Sequence, residues 1–350
     1  MFLSKDYSFL SKVLHHVALG TNVLPEMLFD IEKTFFKKKI NNDNLRSHVF
    51  VSGMPRSGTT LLMNKLYETN QFASLTYRDV PFTLSPNLWK KIIGHKIKPS
   101  QNKERAHGDK MLINLDSPEA LDEIFWRVKL KNSYIHSDKL VFHDVDDKII
   151  EEFRNYVSLI LHKYQKKLYL SKNNNNLLRL ESIIKSFPNC LFLIPFRDPI
   201  QQANSLLLTH QNFSKLHKQN NFIKKYMRYL VHYEFGANHM PQEFSQNINK
   251  SLDANSIDYW LLQWTNVYTH LSQKKISNIK NVVYINYEYL CQNSETVFKK
   301  IFKRINLDNS SLNNNYNFKP SHREVKIKED KILLNAKKIF DDLIALSSSF

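Results

Sequence analysis

Two short segments hold the residues best placed to do chemistry. Gly53–Thr60 reads GMPRSGTT, and Phe196–Ser205 reads FRDPIQQANS. In the first, a glycine-bounded turn follows an apolar run and precedes a helical pattern. Such a turn is an anion cradle, because backbone N–H groups and the positive helix end face the ligand. Gly53 and Gly58 have the spacing of a triphosphate loop, GxxxxGK[ST]. Thr59, however, stands where that loop carries lysine, and the cation sits in the turn as Arg56. In the second segment Arg197 ends an apolar run and Ser205 follows eight positions on, which suits one exposed phosphate. Asp198 before Pro199 reads as a helix N-cap followed by the first helical position, rather than as a magnesium ligand. Together the segments predict a nucleotide with separate phosphates at the two ends of its ribose, and point away from ATP.

These residues need a scaffold, and the apolar pattern supplies one. Short strands are expected at His48–Ser52, Phe72–Thr76, Leu168–Leu170, Leu191–Phe196 and Val282–Asn286. The unbroken apolar run of Leu191–Phe196 fits a strand buried on both faces. Between them lie helical patterns, such as Glu151–Tyr164 and the stretch through Trp260, Trp264 and Tyr268. Strands alternating with helices predict an α/β fold with a parallel sheet of about five strands flanked by helices. Ligands in such sheets bind beyond the carboxyl ends of the strands. Arg56, Asp79, Lys172, Arg197 and Tyr287 each follow a predicted strand, so five segments are expected to converge on one rim.

The chain is read as one domain over 1–350. Its first 45 residues form a helical segment whose apolar face is Leu3, Phe9, Leu10, Val13, Leu14 and Val17. Residues 80–150 and 210–255 are irregular in pattern and are expected as insertions. The asparagine run Asn173–Asn176 reads as a solvated turn with a helix cap, and Trp126, Trp260 and Trp264 read as core.

The paired motifs resemble the superfamily of sulfotransferases that use 3′-phosphoadenosine-5′-phosphosulfate (PAPS). In that family a GxPRSGTT-like loop holds the 5′-phosphosulfate, and an arginine and serine eight apart hold the 3′-phosphate. Pro55, Arg56, Ser57, Gly58, Thr59 and Thr60 match the first motif, and Arg197 and Ser205 match the second in spacing. Tyr287-Glu288 with Leu290 looks like the YE-x-L element after the last core strand. The resemblance spans roughly residues 48–305 and is nearest the tyrosylprotein and bacterial branches, since the cytosolic aryl branch usually has lysine in place of Arg56. It implies a P-loop-type fold and metal-free, in-line sulfuryl transfer from PAPS to a hydroxyl, or less readily an amine, leaving 3′,5′-ADP.

Such transfer needs an acceptor relieved of its proton and a departing phosphate whose charge is neutralised. Arg56, Lys172 and the loop N–H groups would neutralise. The resemblance implies Asp79 as the base, because the tyrosylprotein branch has a glutamate at a similar distance past the loop arginine. His107 is the alternative base, by likeness to the cytosolic branch. Asn173 could contact the sulfate, and Tyr287 could pack on the adenine side or simply finish its strand. The insertions carry Trp89, His107, Asp109, Asp116, Glu119, Asp122, Glu123, His232 and Glu234. These suit a polyhydroxylated acceptor such as a carbohydrate or glycolipid, but also a phenol or an amine. The rival readings are a nucleotide kinase with a degenerate loop and a non-catalytic nucleotide-binding module.

Composition narrows the partners. The net charge of +17 is compatible with an anionic acceptor or a membrane surface, or with compositional drift alone. No dense basic stripe with interleaved aromatics appears, so nucleic acid is not expected. Two cysteines exclude a disulfide framework or a cysteine zinc site, and fourteen histidines show no paired metal spacing. The longest apolar runs fall far short of the roughly 20 residues of a spanning helix, and no leader pattern is seen. A cytoplasmic protein is the expectation.

Overall fold

The computed structural model describes residues 6–41, 44–94, 101–105, 111–244, 252–308, 318, 320–325, 327 and 329–348. All five expected strands form: β1 (Val49–Val51), β2 (Phe72–Ala73), β3 (Leu168–Lys172), β4 (Leu191–Phe196) and β5 (Val282–Asn286). They make one sheet in the order β2-β3-β1-β4-β5. Every pairing is parallel, with Val51 beside Lys172 on one side and Leu193 on the other. The chain leaves β1 toward β2 and β3, and later returns to lay β4 and β5 on its opposite side. A crevice therefore opens beyond the carboxyl end of β1, where the connections part.

The period of two along each strand divides the core into two layers. Val49 and Val51 face Leu62, Leu66, Val297 and Phe298 on one side of the sheet. Phe50, Phe192 and Phe196 face the other, against Phe153, Tyr156 and Trp264. Both faces are thus covered by helices, as the all-apolar run of β4 requires. The labelled helices are α1 (Phe9–Leu19), α2 (Val23–Phe35), α3 (Thr59–Glu68), α4 (Asp147–Tyr164), α5 (Pro199–Gln219), α6 (Asn221–Tyr229), α7 (Ile257–Ser272) and α8 (Lys331–Ser348). Asp198 caps α5 as expected, accepting Gln201 N–H at 2.8 Å. The three expected core tryptophans are buried.

Three expectations are corrected. The segment 210–255 is more regular than its pattern suggested, since α5 runs on to Gln219 and α6 follows. The asparagine run is buried rather than solvated, and Asn174–Arg179 is a tight 3-10 helix. Its amides have inward partners: Asn173 donates to Glu123 at 2.7 Å and to Asp122 at 3.2 Å, and Asn176 donates to Ser171 at 3.3 Å. Asn173 is consequently tied under the cleft rather than turned toward a sulfate. Last, α1 buries His15, Ala18 and Leu19, whereas Phe9, Leu10, Val13, Leu14 and Val17 of the apolar face read from the sequence are exposed. His15 lies edge-on to Tyr7 and Tyr226, and this aromatic contact with α6 sets the helix rotation.

Candidate active site

The turn after β1 is built by close approach. A Cβ on Gly53 would stand 2.7 Å from the Pro195 carbonyl oxygen. Gly58 has φ +101° and lies under the Tyr287 ring, where a Cβ would meet Cδ2 at 2.7 Å. Only glycine meets both demands there. Ser57 donates to the Met54 carbonyl at 2.7 Å, and Gln202 holds the Pro55 carbonyl at 3.0 Å. Gln202 is itself fixed by Trp264 Nε1 at 3.0 Å. No side chain among the described residues caps α3, and the N–H groups at Thr59 and Thr60 open the helix at the cleft. Arg56, with φ 69°, donates from Nε to Ser205 Oγ at 3.0 Å.

Beside this turn lies an open cleft of about 590 Å³, whose walls include Arg56, Thr59, Thr60, Arg105, Glu119, Lys172, His232 and Glu234. Lys172, the last residue of β3, stands 3.0 Å from Glu119 Oε1. Glu119 Oε2 accepts from Tyr77 at 2.9 Å, and Oε1 also accepts the Ala120 N–H at 3.0 Å. Burial works to raise the Glu119 carboxyl, but the Lys172 charge, with help from His232 and Ala120 N–H, holds it well below its usual range. Glu119 is therefore an anchored anion and a weak proton acceptor. Its effect is to fix the Lys172 ammonium in the cleft.

His232 reaches the cleft through a strained helix end. α6 closes in a Schellman motif: Val231 N–H bonds Arg228 O at 3.1 Å and His232 N–H bonds Met227 O at 2.9 Å. The left-handed position of this motif normally belongs to glycine, yet here it is Val231, at φ 58°. A buried β-branched residue in that region costs roughly 1–2 kcal/mol. Nε2 of His232 is buried and has no hydrogen-bond partner among the described residues. The chain thus holds a strained turn that places, beside the cleft, an imidazole whose Nε2 has no partner among the described residues.

A second basic site adjoins the loop. Arg197, at the end of β4, is nearly buried, and its guanidinium lies 4.9 Å over the Tyr287 ring. Its Nε makes no hydrogen bond among the described residues and stands 3.8 Å from Glu288 Oε1. Nη2 donates to the carbonyl of Ser321 and, at 3.3 Å, to its hydroxyl. The Ser321 segment is pinned alongside by paired bonds between Gln201 and Arg323, both 2.9 Å. Sequence reasoning missed this segment because it belongs to no strand or helix.

The expected site residues divide accordingly. Arg56, Thr59, Thr60 and Lys172 line the cleft with Pro55, while Ser57 is buried beneath the turn. Tyr287 clamps Gly58 to Arg197. The Ser205 hydroxyl accepts from Arg56 Nε. Asp79 does not stand open to an acceptor. It is fully buried and closes a capping box, accepting Thr76 N–H at 2.8 Å and Tyr164 OH at 2.6 Å on Oδ2, with Lys163 on Oδ1. Neighbouring Arg78 pairs with Asp116 instead. His107, the alternative base, lies outside the described residues. Glu119 and His232 sat unranked within the insertions, since neither follows a strand.

A second pocket, of about 440 Å³, shares Pro55 and Glu234 with the cleft. Its wall is mainly Met54, Leu140, Leu206, Met240, Trp260 and Val267. Polar groups on it include Gln263, whose buried Nε2 has no partner among the described residues, and His239. Burial holds His239 near pKa 4, so it is neutral. Among the described residues no group of His, Cys, Asp or Glu could hold a metal ion, and no helix is long and apolar enough to cross a membrane.

No curated protein matches this sequence. Solved structures of similar shape include sulfotransferase STF1 from Mycobacterium tuberculosis, at 11% identity over 95% of this chain and 84% of that one, TM-score 0.49. STF9 from Mycobacterium avium is 12% identical over 91% and 81%, TM-score 0.47. A sulfotransferase from Alicyclobacillus acidocaldarius is 12% identical over 87% and 95%, TM-score 0.37. The profile of the sulfotransferase family matches residues 48–311, which takes in the phosphate loop, all five strands, the cleft and Arg197. The chain belongs to the sulfotransferase family.

Proposed function

We propose that this sulfotransferase takes its sulfuryl group from PAPS and delivers it to a hydroxyl on an acceptor with an apolar body, with His232 as the base. PAPS supplies the sulfuryl group and leaves as 3′,5′-ADP. Arg56 and the N–H groups that open α3 suit the 5′ end of that nucleotide, and Arg197, whose Nε has no partner among the described residues, suits the 3′-phosphate. Tyr287 lies between the two, on Gly58 and Arg197 together.

His232 Nε2 takes the acceptor proton as the acceptor oxygen bonds to sulfur. The bond from sulfur to the phosphate oxygen breaks, and Lys172 meets the negative charge that grows on that oxygen. Lys172 keeps its position through Glu119. His232 replaces Asp79 in this reading because Asp79 has both oxygens engaged and does not line the cleft, whereas His232 does. The pocket beside Pro55 suits an apolar acceptor body better than the carbohydrate the sequence suggested, since most of its exposed wall is apolar.

The observation that carries this reading is the cleft itself, with Arg56, Lys172 and His232 on its wall, and with His232 Nε2 buried and without a partner among the described residues. Isotope-labelled PAPS with a panel of hydrophobic alcohols, phenols and free sugars tests it. Transfer to the hydrophobic alcohols or phenols is expected. Transfer to sugars alone overturns the acceptor class, and phosphoryl transfer from ATP in place of sulfuryl transfer overturns the donor.

A further inference from the structure

The reversed face of α1 has a counterpart on α2. Of the large apolar residues exposed among the described residues, most lie on these two helices. On α1, Phe9 and Leu10 are 79% and 77% exposed, followed by Val13 and Val17 on the same side. On α2, Val23, Met27, Ile31 and Phe35 recur every four residues and form one stripe, with Val23 75% and Phe35 70% exposed. The stripe lines a shallow groove whose acidic members are already paired, Asp30 with Lys33 at 2.9 Å and Glu26 with Lys129 at 3.0 Å. Apolar side chains in such number on a surface mark a contact that the isolated chain does not make.

We propose that the α1–α2 pair is a peripheral docking element for an anionic lipid bilayer. Charge decides the occupant. α2 runs directly into Lys37, Lys38 and Lys39, all exposed, and the whole chain carries +17. A second copy of the chain would bring the same positive charge against itself, whereas an anionic leaflet complements it. Helices of 11 and 13 residues are too short to cross a bilayer. Their length and one-sided apolarity fit burial in the plane of the interface, with lysines at the headgroups. The element is held to the body by the opposite, aromatic face of α1, through Tyr7 and His15 against Phe222 and Tyr226. Tyr7 also packs against Tyr77, the residue that bonds Glu119, so the docked element lies one side chain from the cleft wall. The proposal stands on the surface and does not require the sulfuryl donor or acceptor to be as inferred above.

Co-sedimentation of the full chain with phosphatidylcholine vesicles, and with vesicles of phosphatidylcholine mixed equally with phosphatidylglycerol, tests the proposal. Binding to the mixed vesicles is expected, falling as salt rises, with weak binding to the neutral ones. Joint substitution of Phe9→Ser, Leu10→Ser, Val23→Ser and Phe35→Ser should reduce partitioning roughly tenfold or more. These side chains are already in water, so circular dichroism and the thermal midpoint should hold. Lys37→Gln, Lys38→Gln and Lys39→Gln together should remove most of the preference for anionic lipid, and should do so even if the serine variant misfolds. Equal sedimentation of wild type with and without anionic vesicles overturns the proposal. So does a concentration-dependent dimer in analytical ultracentrifugation that the serine substitutions abolish, because the face is then a self-interface.

Discussion

The Nε of Arg56 donates to the hydroxyl of Ser205 at 3.0 Å, joining the phosphate loop to the helix after β4 across 149 residues of sequence. One charged group of the loop is thereby oriented by the helix that also follows Arg197. The two candidate anion sites are mechanically linked, since α5 carries Ser205, Gln202 on the Pro55 carbonyl, and the cap Asp198 behind Arg197. A shift of α5 would move both.

Nucleotide binding should depend on both ends of the ribose. 3′,5′-ADP is expected to bind roughly a hundredfold more tightly than 5′-AMP, because each charge-assisted contact to a phosphate contributes about 1.5–3 kcal/mol. Arg197→Ala should erase that difference while leaving 5′-AMP affinity near wild type. Titration calorimetry measures both constants; equal affinities for the two nucleotides in the wild-type protein would sink the assignment of Arg197.

Removal of the base should separate turnover from nucleotide binding. His232→Ala is expected to lower kcat by roughly 100- to 10,000-fold with 3′,5′-ADP affinity unchanged. Lys172→Ala should weaken both. If His232→Ala keeps most of its activity and Asp79→Asn loses it without losing stability, the aspartate is the base after all.

Asp79 and Glu123 should behave as structural carboxylates. Asp79→Asn breaks a buried pair with Lys163 and is expected to cost about 3 kcal/mol of folding stability. Arg179 forks onto Glu123 at 2.8 and 2.9 Å beneath the asparagine helix and lies between Trp126 and Tyr134. Arg179→Met leaves Glu123 buried and unpaired, for a loss of roughly 3–5 kcal/mol. Urea unfolding followed by circular dichroism reads both, and a change below experimental scatter would remove the ion pairs from the stability argument.

Acid should destabilise the fold before most carboxylates titrate. Burial, with Arg179 beside it, depresses His143 from 6.5 to about 4, and burial with His210 depresses His239 likewise. Between about pH 6.5 and 4 the unfolded chain takes up protons that these folded imidazoles refuse. Stability is therefore full above 6.5 and falls as pH drops through that window. The thermal midpoint should decline across it, and His143→Gln should flatten the slope. Glu119 contributes in the same direction at lower pH, because its depressed carboxyl holds stability until acid protonates it below the ordinary 4.5.

Five strands, their place in a parallel sheet and the phosphate loop could be read along the chain because each rests on local pattern. Apolar runs, a glycine needed for φ +101° and an aspartate before proline act within a few residues. The family resemblance followed from the same short segments. The proposed base did not, because His232 is placed by a helix end that lacks the usual signal: Val231 occupies the glycine position, so the sequence shows no stop there. The asparagine run misled in a similar way. Four amides look solvated until the tertiary structure supplies buried carboxylates to receive them.

Sequence alone determined the family, through short motifs whose residue types keep their charge and backbone freedom whatever surrounds them. Tertiary structure decided which of two carboxylates faces the cleft and which way α1 turns its apolar side. Asp79 went to a capping box because Thr76 lies three residues before it and Lys163 meets it from α4, while Glu119 was brought to Lys172. α1 turned its aliphatic face outward because Tyr7 and His15 found aromatic partners on α6, more than 200 residues away. Contacts between distant segments have no signature in local periodicity, and their energies are large enough to override it.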